Sequence, residues 1–187
     1  ENDGNGNFVN RYFAQFMPDG TISDLAVFDY DLDGYQDLVI CESQYTTAQL
    51  IVLGNRSSAW GRQFVDETAT SGIGGTANFY GLAAANYYPG DGYTDLYVGR
   101  AATEAFYYKA QAVAGQPQNN WVSVRLQSPH GANNRSCLGA TVKVQAGSLT
   151  QAQIVDGGSG RSSQHDRDLI FGLGQQTGPT VEIRWPS

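Results

Sequence analysis

Lysine is nearly missing from this chain. Lys109 and Lys143 are its two occurrences in 187 residues, and with arginine they bring the cations to 11 against 18 acids, for a formal charge of −7. A surface so short of positive charge argues against nucleic acid or anionic lipid as a partner, because both recruit Lys and Arg. Long hydrophobic runs are missing too: none reaches the roughly 18 residues that a membrane span requires. No signal peptide is present and the chain starts at Glu1 rather than Met, so a processed or truncated product is expected. Cysteine occurs twice, as Cys41 and Cys137, in no metal-binding spacing. In an oxidising compartment the two could pair; otherwise each is a small buried apolar residue.

What is abundant is glycine, at 23 residues, and tyrosine, at 11, with few helix formers beside them. That balance predicts an all-β chain rich in turns. Hydrophobic residues make up 41% of the chain, enough for one or two domains with a real core. Asn55-Arg56-Ser57 and Asn134-Arg135-Ser136 match the N-glycosylation acceptor pattern, which counts if the protein is secreted by a cell that glycosylates.

The chain repeats itself. "DLDGYQDLVI" at Asp31–Ile40 returns as "PGDGYTDLYV" at Pro89–Val98, and "GNGNFVN" at Gly4–Asn10 is echoed by "WGRQFVDET" at Trp60–Thr68. The period, slightly above 50 residues, is that of a long propeller repeat. Short alternating segments at 24–29, 37–41, 49–53, 95–99 and 106–109 read as strands, and "GLAAANYY" at 81–88 joins them by its repeat position. Four short strands per repeat suit a propeller blade. Composition shifts at "AQAVAGQPQNN", 110–120, which reads as a linker. Beyond it, alternating segments at 120–126, 140–146, 150–156, 169–174 and 180–185 predict a small sandwich or barrel, with Trp121 and Trp185 as core anchors. The expected division is 1–115 for the repeats and 116–187 for the second unit.

Between two apolar segments lies "FDYDLDGYQDLVI", Phe28–Ile40, with Asp29, Asp31, Asp33 and Asp37 at positions 1, 3, 5 and 9. Gly34 at position 6 permits a sharp turn, and Tyr35 at position 7 can offer its backbone carbonyl. Hard oxygen ligands at this spacing suit Ca²⁺. Two carboxylates ~4 Å apart repel by about 4 kcal/mol at an effective dielectric of 20, and a divalent ion reverses the sign. An EF-hand is excluded by Ile40, which stands where that loop needs a bidentate Glu, and by strand flanks where it needs helices. The second copy keeps Asp91, Gly92 and Asp95. One inserted residue brings Asn86 and Tyr88 into register, still one carboxylate short, so weak calcium binding or none is expected there. Asp3-Gly4-Asn5-Gly6 reads as a hairpin turn.

Asp29-x-Asp31-x-Asp33-Gly34-x-x-Asp37-Leu38 resembles the calcium loop of FG-GAP/VCBS repeats, the blades of integrin-α-like propellers. The tail, through "NNWVSVRL", "LGATVKV", "GSGRSSQHDRDLIFGLG" and "VEIRWPS", resembles the ASPIC/UnbV domain, which follows such repeats in bacterial secreted proteins and in cartilage acidic protein. The resemblance implies incomplete β-propeller-like blades with structural calcium, followed by a small β-domain, in an extracellular or cell-surface protein. The chain departs from the family by holding fewer than two blades, where a closed propeller needs at least about four. Contact with other copies or with further upstream blades is therefore expected, because an open blade edge presents unpaired backbone groups.

Catalysis finds little support. His130 sits in a polar loop without acidic neighbours, and His165-Asp166 lacks the helices and further His ligands of a metal phosphohydrolase. Ser159, Ser162 and Ser163 lack the strand–turn–helix setting of a nucleophile elbow. The expected function is a non-enzymatic calcium-binding structural or adhesion module. The alternative is a carbohydrate-binding module using Tyr80, Tyr87, Tyr88, Tyr93, Tyr107 and Tyr108.

Overall fold

The computed structural model describes residues 5–7, 21–43, 49–58, 61–73, 77–100, 104–112, 114–128 and 134–186. Every regular element among them is a β-strand, and every strand pairing is antiparallel. The first sheet runs in chain order through β1 (Thr21–Phe28), β2 (Asp37–Ser43), β3 (Leu50–Ser58) and β4 (Gly61–Asp66). The next contains β5 (Phe79–Ala85), β6 (Asp95–Arg100) and β7 (Phe106–Tyr108), again in chain order.

Alternation decides which side of each strand is buried. On β1, Asp24 and Ala26 point inward while Leu25 and Val27 face out. On β2, Asp37, Val39 and Cys41 are buried in the same way. Their inner faces meet Phe79, Leu82 and Ala84 of β5 and Leu96 and Val98 of β6, so the two sheets share one apolar core. The sequence repeat is therefore a structural one: β5, β6 and β7 stand to each other as β1, β2 and β3 do. The register confirms it, since Phe28 pairs with Asp37 and Ala85 with Asp95.

A second pair of sheets follows. One has the order β10-β9-β12, from β9 (Thr141–Ala146), β10 (Leu149–Ile154) and β12 (Thr180–Arg184); the other pairs β8 (Asn120–Val124) with β11 (Leu169–Gly174). The β9–β10 hairpin turns on Gly147 at φ +55, a conformation that costs glycine nothing. Val142, Val144 and Ala146 of β9 meet Leu169, Phe171 and Leu173 of β11 in a separate core. Among the described residues no sheet closes into a barrel, and no helix is long and apolar enough to cross a membrane.

Several expectations need correction. Neither tryptophan anchors the second core. Val122 and Val124 of β8 pack against it, so Trp121, one residue out of phase, faces the other side and lies against Gly92. Trp185 follows a strand exposed along its whole length and is itself half exposed. β4 was not expected as a strand by its own pattern; it is nearly all exposed and carries little alternation. The segment at 81–88 is a strand only to Ala85. Of the two alternatives left open for the cysteines, the structure has the second: Cys41 and Cys137 are both free and each is buried, in different cores. Burial, with Asp24 adding to it, pushes the Cys41 thiol up to about 12. Asp3, Gly4 and His130 lie outside the described residues.

The shared core sets a clear expectation for stability. Leu82 is fully enclosed, so Leu82→Ala should cost about 2–5 kcal/mol by chemical denaturation. Leu25→Ala, on the outer face of β1, should cost far less. Equal losses at the two positions would show that the outer face of β1 is also a packed surface.

Candidate functional site

The aspartate loop leaves the first sheet at Phe28 and rejoins it at the paired residue Asp37. Its shape is fixed by carboxylates accepting backbone N–H groups. Asp29 takes the N–H of Asp33 on Oδ1 at 3.0 Å and that of Gly34 on Oδ2 at 2.8 Å. Asp33 Oδ1 takes the N–H of Tyr35 at 2.9 Å, and Asp31 Oδ1 lies 3.3 Å from the N–H of Asp33. Asp37 ties the loop to the sheet, accepting from Tyr30 at 3.0 Å and from Asn55 of β3 at 2.7 Å. Two residues adopt left-handed backbone to make this turn: Gly34 at φ +95, and Leu32 at φ +61, whose side chain is fully buried. A leucine in that region is strained and must be held by its surroundings.

Folding brings oxygens of Asp29, Asp31 and Asp37 within 4.8 Å of one another. Asp33 sends its other oxygen toward arginine, 3.2 Å from Arg56 Nη1 and 3.6 Å from Arg62 Nη2. Tyr35 gives its ring to Arg62, whose guanidinium stacks over it. Arg56 is the main counter-charge. Its Nη2 lies 2.8 Å from Asp31 Oδ2 and 2.6 Å from Glu67 Oε2, and its Nη1 is 3.6 Å from Asp37 Oδ1. Glu67 grips the same guanidinium a second time through Nε at 2.8 Å, and the Tyr30 hydroxyl donates to Glu67 at 2.6 Å. One guanidinium does not neutralise the cluster. Burial, opposed by the Gly34 N–H bond and reinforced by Asp33, Asp31 and Asp37, pushes Asp29 up to about 8. Burial, opposed by the Asn55 and Tyr30 N–H bonds, pushes Asp37 up to about 7. Asp33 is raised as well, chiefly by burial and then by Asp31.

The second loop has the same scaffold with different groups in it. Asp95 accepts from Tyr87 and Ala110 as Asp37 does from Tyr30 and Asn55, and Asp91 accepts from Tyr93 as Asp33 does from Tyr35. Asn86, directly after β5, stands where Asp29 follows β1. Its amide is buried without a hydrogen-bond partner.

The remaining predicted positions have structural partners. His165 Nδ1 accepts the N–H of Ala84 at 3.0 Å, and the Asp166 N–H donates to the Ala84 carbonyl at 2.9 Å. Ser163 and the Arg161 N–H bond to Asp24. "GSGRSSQHD" thus lies along the edge of β5. The amide nitrogens of both glycosylation triplets are engaged, Asn55 with Gln36 and Asn134 with Leu138. Of the predicted tyrosines, Tyr80, Tyr87, Tyr88 and Tyr107 are exposed, together with Tyr97, which was not predicted. Tyr93 and Tyr108 are half-buried.

Sequence reading missed Arg56, Glu67 and Asp24. Arg56 was legible only inside a glycosylation triplet; its place in the loop depends on β3 folding beside β2. Asp24 is buried on β1, yet accepts from Leu82 of β5 and Arg161 of the second unit, contacts spanning 58 and 137 residues.

Comparison with known families places residues 130–187 in a match to the family model described as ASPIC and UnbV. No curated protein matches the chain.

The raised carboxylates give the fold a pH signature. Without a divalent ion, folded Asp29 and Asp37 keep protons that the unfolded chain has already lost, from about pH 4 up to about 7 for Asp37 and about 8 for Asp29. The folded chain binds more protons across that window, so stability contributed by these groups falls as pH rises through it. In chelator, the thermal midpoint of the wild type should fall more steeply from pH 4 to 8 than that of Asp29→Asn. Parallel profiles would show that Asp29 is ionised in the fold.

Proposed function

We propose that this chain is a non-enzymatic, extracellular calcium-binding module of structural or adhesive role, which assembles with other copies of itself or with further blades. The observation that carries this reading is the approach of Asp29, Asp31 and Asp37 oxygens within 4.8 Å. Ligands at 2.3–2.6 Å on opposite sides of one Ca²⁺ are about 5 Å apart, so the three oxygens fit a single ion. Asp33 and the Tyr35 carbonyl are the further ligands that the loop would contribute. When bound, the ion supplies the positive charge that buried carboxylates need. Arg56 has a second anchor in Glu67, which would hold it as it gives up Asp31 and Asp37.

The four-stranded sheet and its three-stranded repeat, packed face to face, support assignment of the first part to FG-GAP/VCBS-type propeller blades. The family match at 130–187 supports the second part of the pairing. The engagement of His165 and Ser163 with backbone and Asp24 supports a structural rather than catalytic role for that loop.

A second reading has its own observation. Tyr87, Tyr97 and Tyr107 are 71%, 58% and 47% exposed on and beside the β5–β7 sheet. Tyr87 meets Tyr107 at 6.2 Å and Tyr88 at 5.1 Å, both edge to face. Rings fixed in this way could stack on sugars. A glycan array run with and without chelator separates the readings.

Calcium at a hundred times its dissociation constant should stabilise the chain by about 2.7 kcal/mol, and should flatten the pH-dependent fall seen in chelator. Asp31→Asn and Asp37→Asn should lose that gain. An unchanged thermal midpoint on adding calcium to the wild type would sink the calcium reading. Calcium-dependent growth in solution mass supports assembly, and a monomer under both conditions removes it.

A further inference from the structure

The aspartate loop has a second face. While its carboxylates converge on one side, its backbone carbonyls and Leu32 turn toward the second unit. The N–H of Gly174 donates to the Leu32 carbonyl at 3.0 Å, and Asn119 Nδ2 donates to the Asp31 carbonyl at 2.9 Å. Gly172 of β11 passes so close that a Cβ there would overlap Asp29 Oδ2 and the Leu32 backbone. Gly34 in turn leaves no room for a Cβ beside Leu149 of β10. The residues touching the loop thus come from the end of the linker, β10 and β11. Of the two glycines in "FGLG", Gly172 is required because the carboxylate loop occupies the space of its side chain, and Gly174 because its backbone is left-handed at φ +56.

From this we infer that cation binding at the aspartate loop and docking of the second unit are one coupled equilibrium. The inference rests on the calcium reading above and names how that site is regulated. Asp29 is the common member: its Oδ2 fixes the Gly34 N–H and lies against Gly172. Leu32 is the strained member, left-handed and fully buried beneath the docked unit. Removing the cation takes away the one group that draws all three carboxylates to a single point, and so lets the loop spread. Spreading it moves the Asp31 and Leu32 carbonyls away from Asn119 and Gly174. Conversely, a docked second unit holds Asp29, Asp31 and Leu32 in the arrangement that gathers the carboxylates, so the cation meets a formed site. By linkage, whatever factor docking adds to cation affinity, the cation adds to docking.

Other contacts between the units set the reference. The segment at 160–166 bonds to Asp24 and Ala84 of β1 and β5 rather than to the loop's carboxylates, though His165 and Asp29 line the same cavity. Loosening that contact should undock the unit without touching the loop's geometry directly. His165→Ala is therefore an undocking variant independent of the aspartate loop, and Gly172→Val is one that acts at it.

The test uses the full chain, calcium chloride and a chelator, with two readouts. The first is calcium affinity by calorimetry. The second is the rate at which a non-specific protease cuts the linker at 110–118, which reports docking. In the wild type, chelator should speed linker cleavage about tenfold and calcium should reverse it. Gly172→Val should cleave quickly and bind calcium about tenfold more weakly. Asn119→Ala, which removes the bond to the Asp31 carbonyl and the one accepted from Gln175, should shift both readouts in the same direction by a smaller factor. His165→Ala should weaken calcium binding although it touches no ligand. If the wild type binds calcium and its linker is cut at the same rate with and without the ion, the coupling is overturned while the calcium reading stands. If His165→Ala cleaves quickly and keeps full affinity, the coupling is likewise overturned. If the wild type binds no calcium, the underlying reading fails and the coupling goes with it.

Discussion

Like charges at close range are tolerated inside a protein only where something offsets them, and the loop from Asp29 to Asp37 makes that demand of its surroundings. Two devices meet part of it. Backbone N–H groups of Tyr30, Asp33, Gly34, Tyr35 and Asn55 point at carboxylate oxygens, so the chain wraps itself around its acids. Arg56, braced by Glu67, adds one full positive charge. The residual strain shows in Asp29 and Asp37, both pushed well above the usual carboxylate range by burial. Hydrogen bonds from neutral N–H groups orient a carboxylate but do not cancel its charge. On the calcium reading proposed above, a divalent ion would supply what these devices leave outstanding, and the loop's spacing and its electrostatics both favour that reading.

The second loop makes the comparison internal to the chain. The N–H bonds to its closing carboxylates are kept at Asp91 and Asp95, yet Asn86 replaces the first acid and Pro89–Gly90 carry no carboxylate. With the charge reduced, the scaffold survives with no arginine placed as Arg56 is among the described residues. The turn geometry and the charge cluster are therefore separable features. The backbone bonds build the turn in both repeats, and the first adds the cluster of Asp29, Asp31 and Asp37 to it.

Much of this was legible because it is local. The 1-3-5-9 spacing with Gly34, the alternating strands and the break at the linker all lie within a few residues of one another, and local spacing survives into the fold. The inserted residue that aligns Asn86 with Asp29 was readable for the same reason. What was not legible depends on distant pairing. Arg56 reaches the loop across a strand pairing, Asp24 gains its partners from β5 and from the 160–166 loop, and Trp121 is turned outward by a one-residue phase that composition cannot reveal. Trp185 shows the limit of equating size and apolarity with burial. It follows an edge strand, and an edge strand at the periphery of a small sheet has little core to offer. β4 was overlooked for the converse reason: only Phe64 and Val65, adjacent and half-buried, carry apolar character, so the strand shows no hydrophobic alternation, and its pairing to β3 is carried by the backbone.

The two parts of the chain have separate cores but do not have separate surfaces. Gly172 accepts the close approach of Asp29 and the Leu32 backbone where the aspartate loop bulges into the second unit, Gly174 donates to the Leu32 carbonyl beside it, and Gly92 leaves room for the Trp121 ring at the second loop. The second unit thus lies across the carboxyl-bearing ends of both repeats. A side chain larger than hydrogen at Gly172 or Gly92 would collide with the neighbouring unit. That placement gives the motif "FGLG" a physical meaning beyond its strand: it is shaped as the counterpart of "DLDG", with glycine facing carboxylate and N–H facing carbonyl. Because the same nine residues gather the acids and carry the second unit, the proposed coupling needs no intermediary between the two faces of the loop.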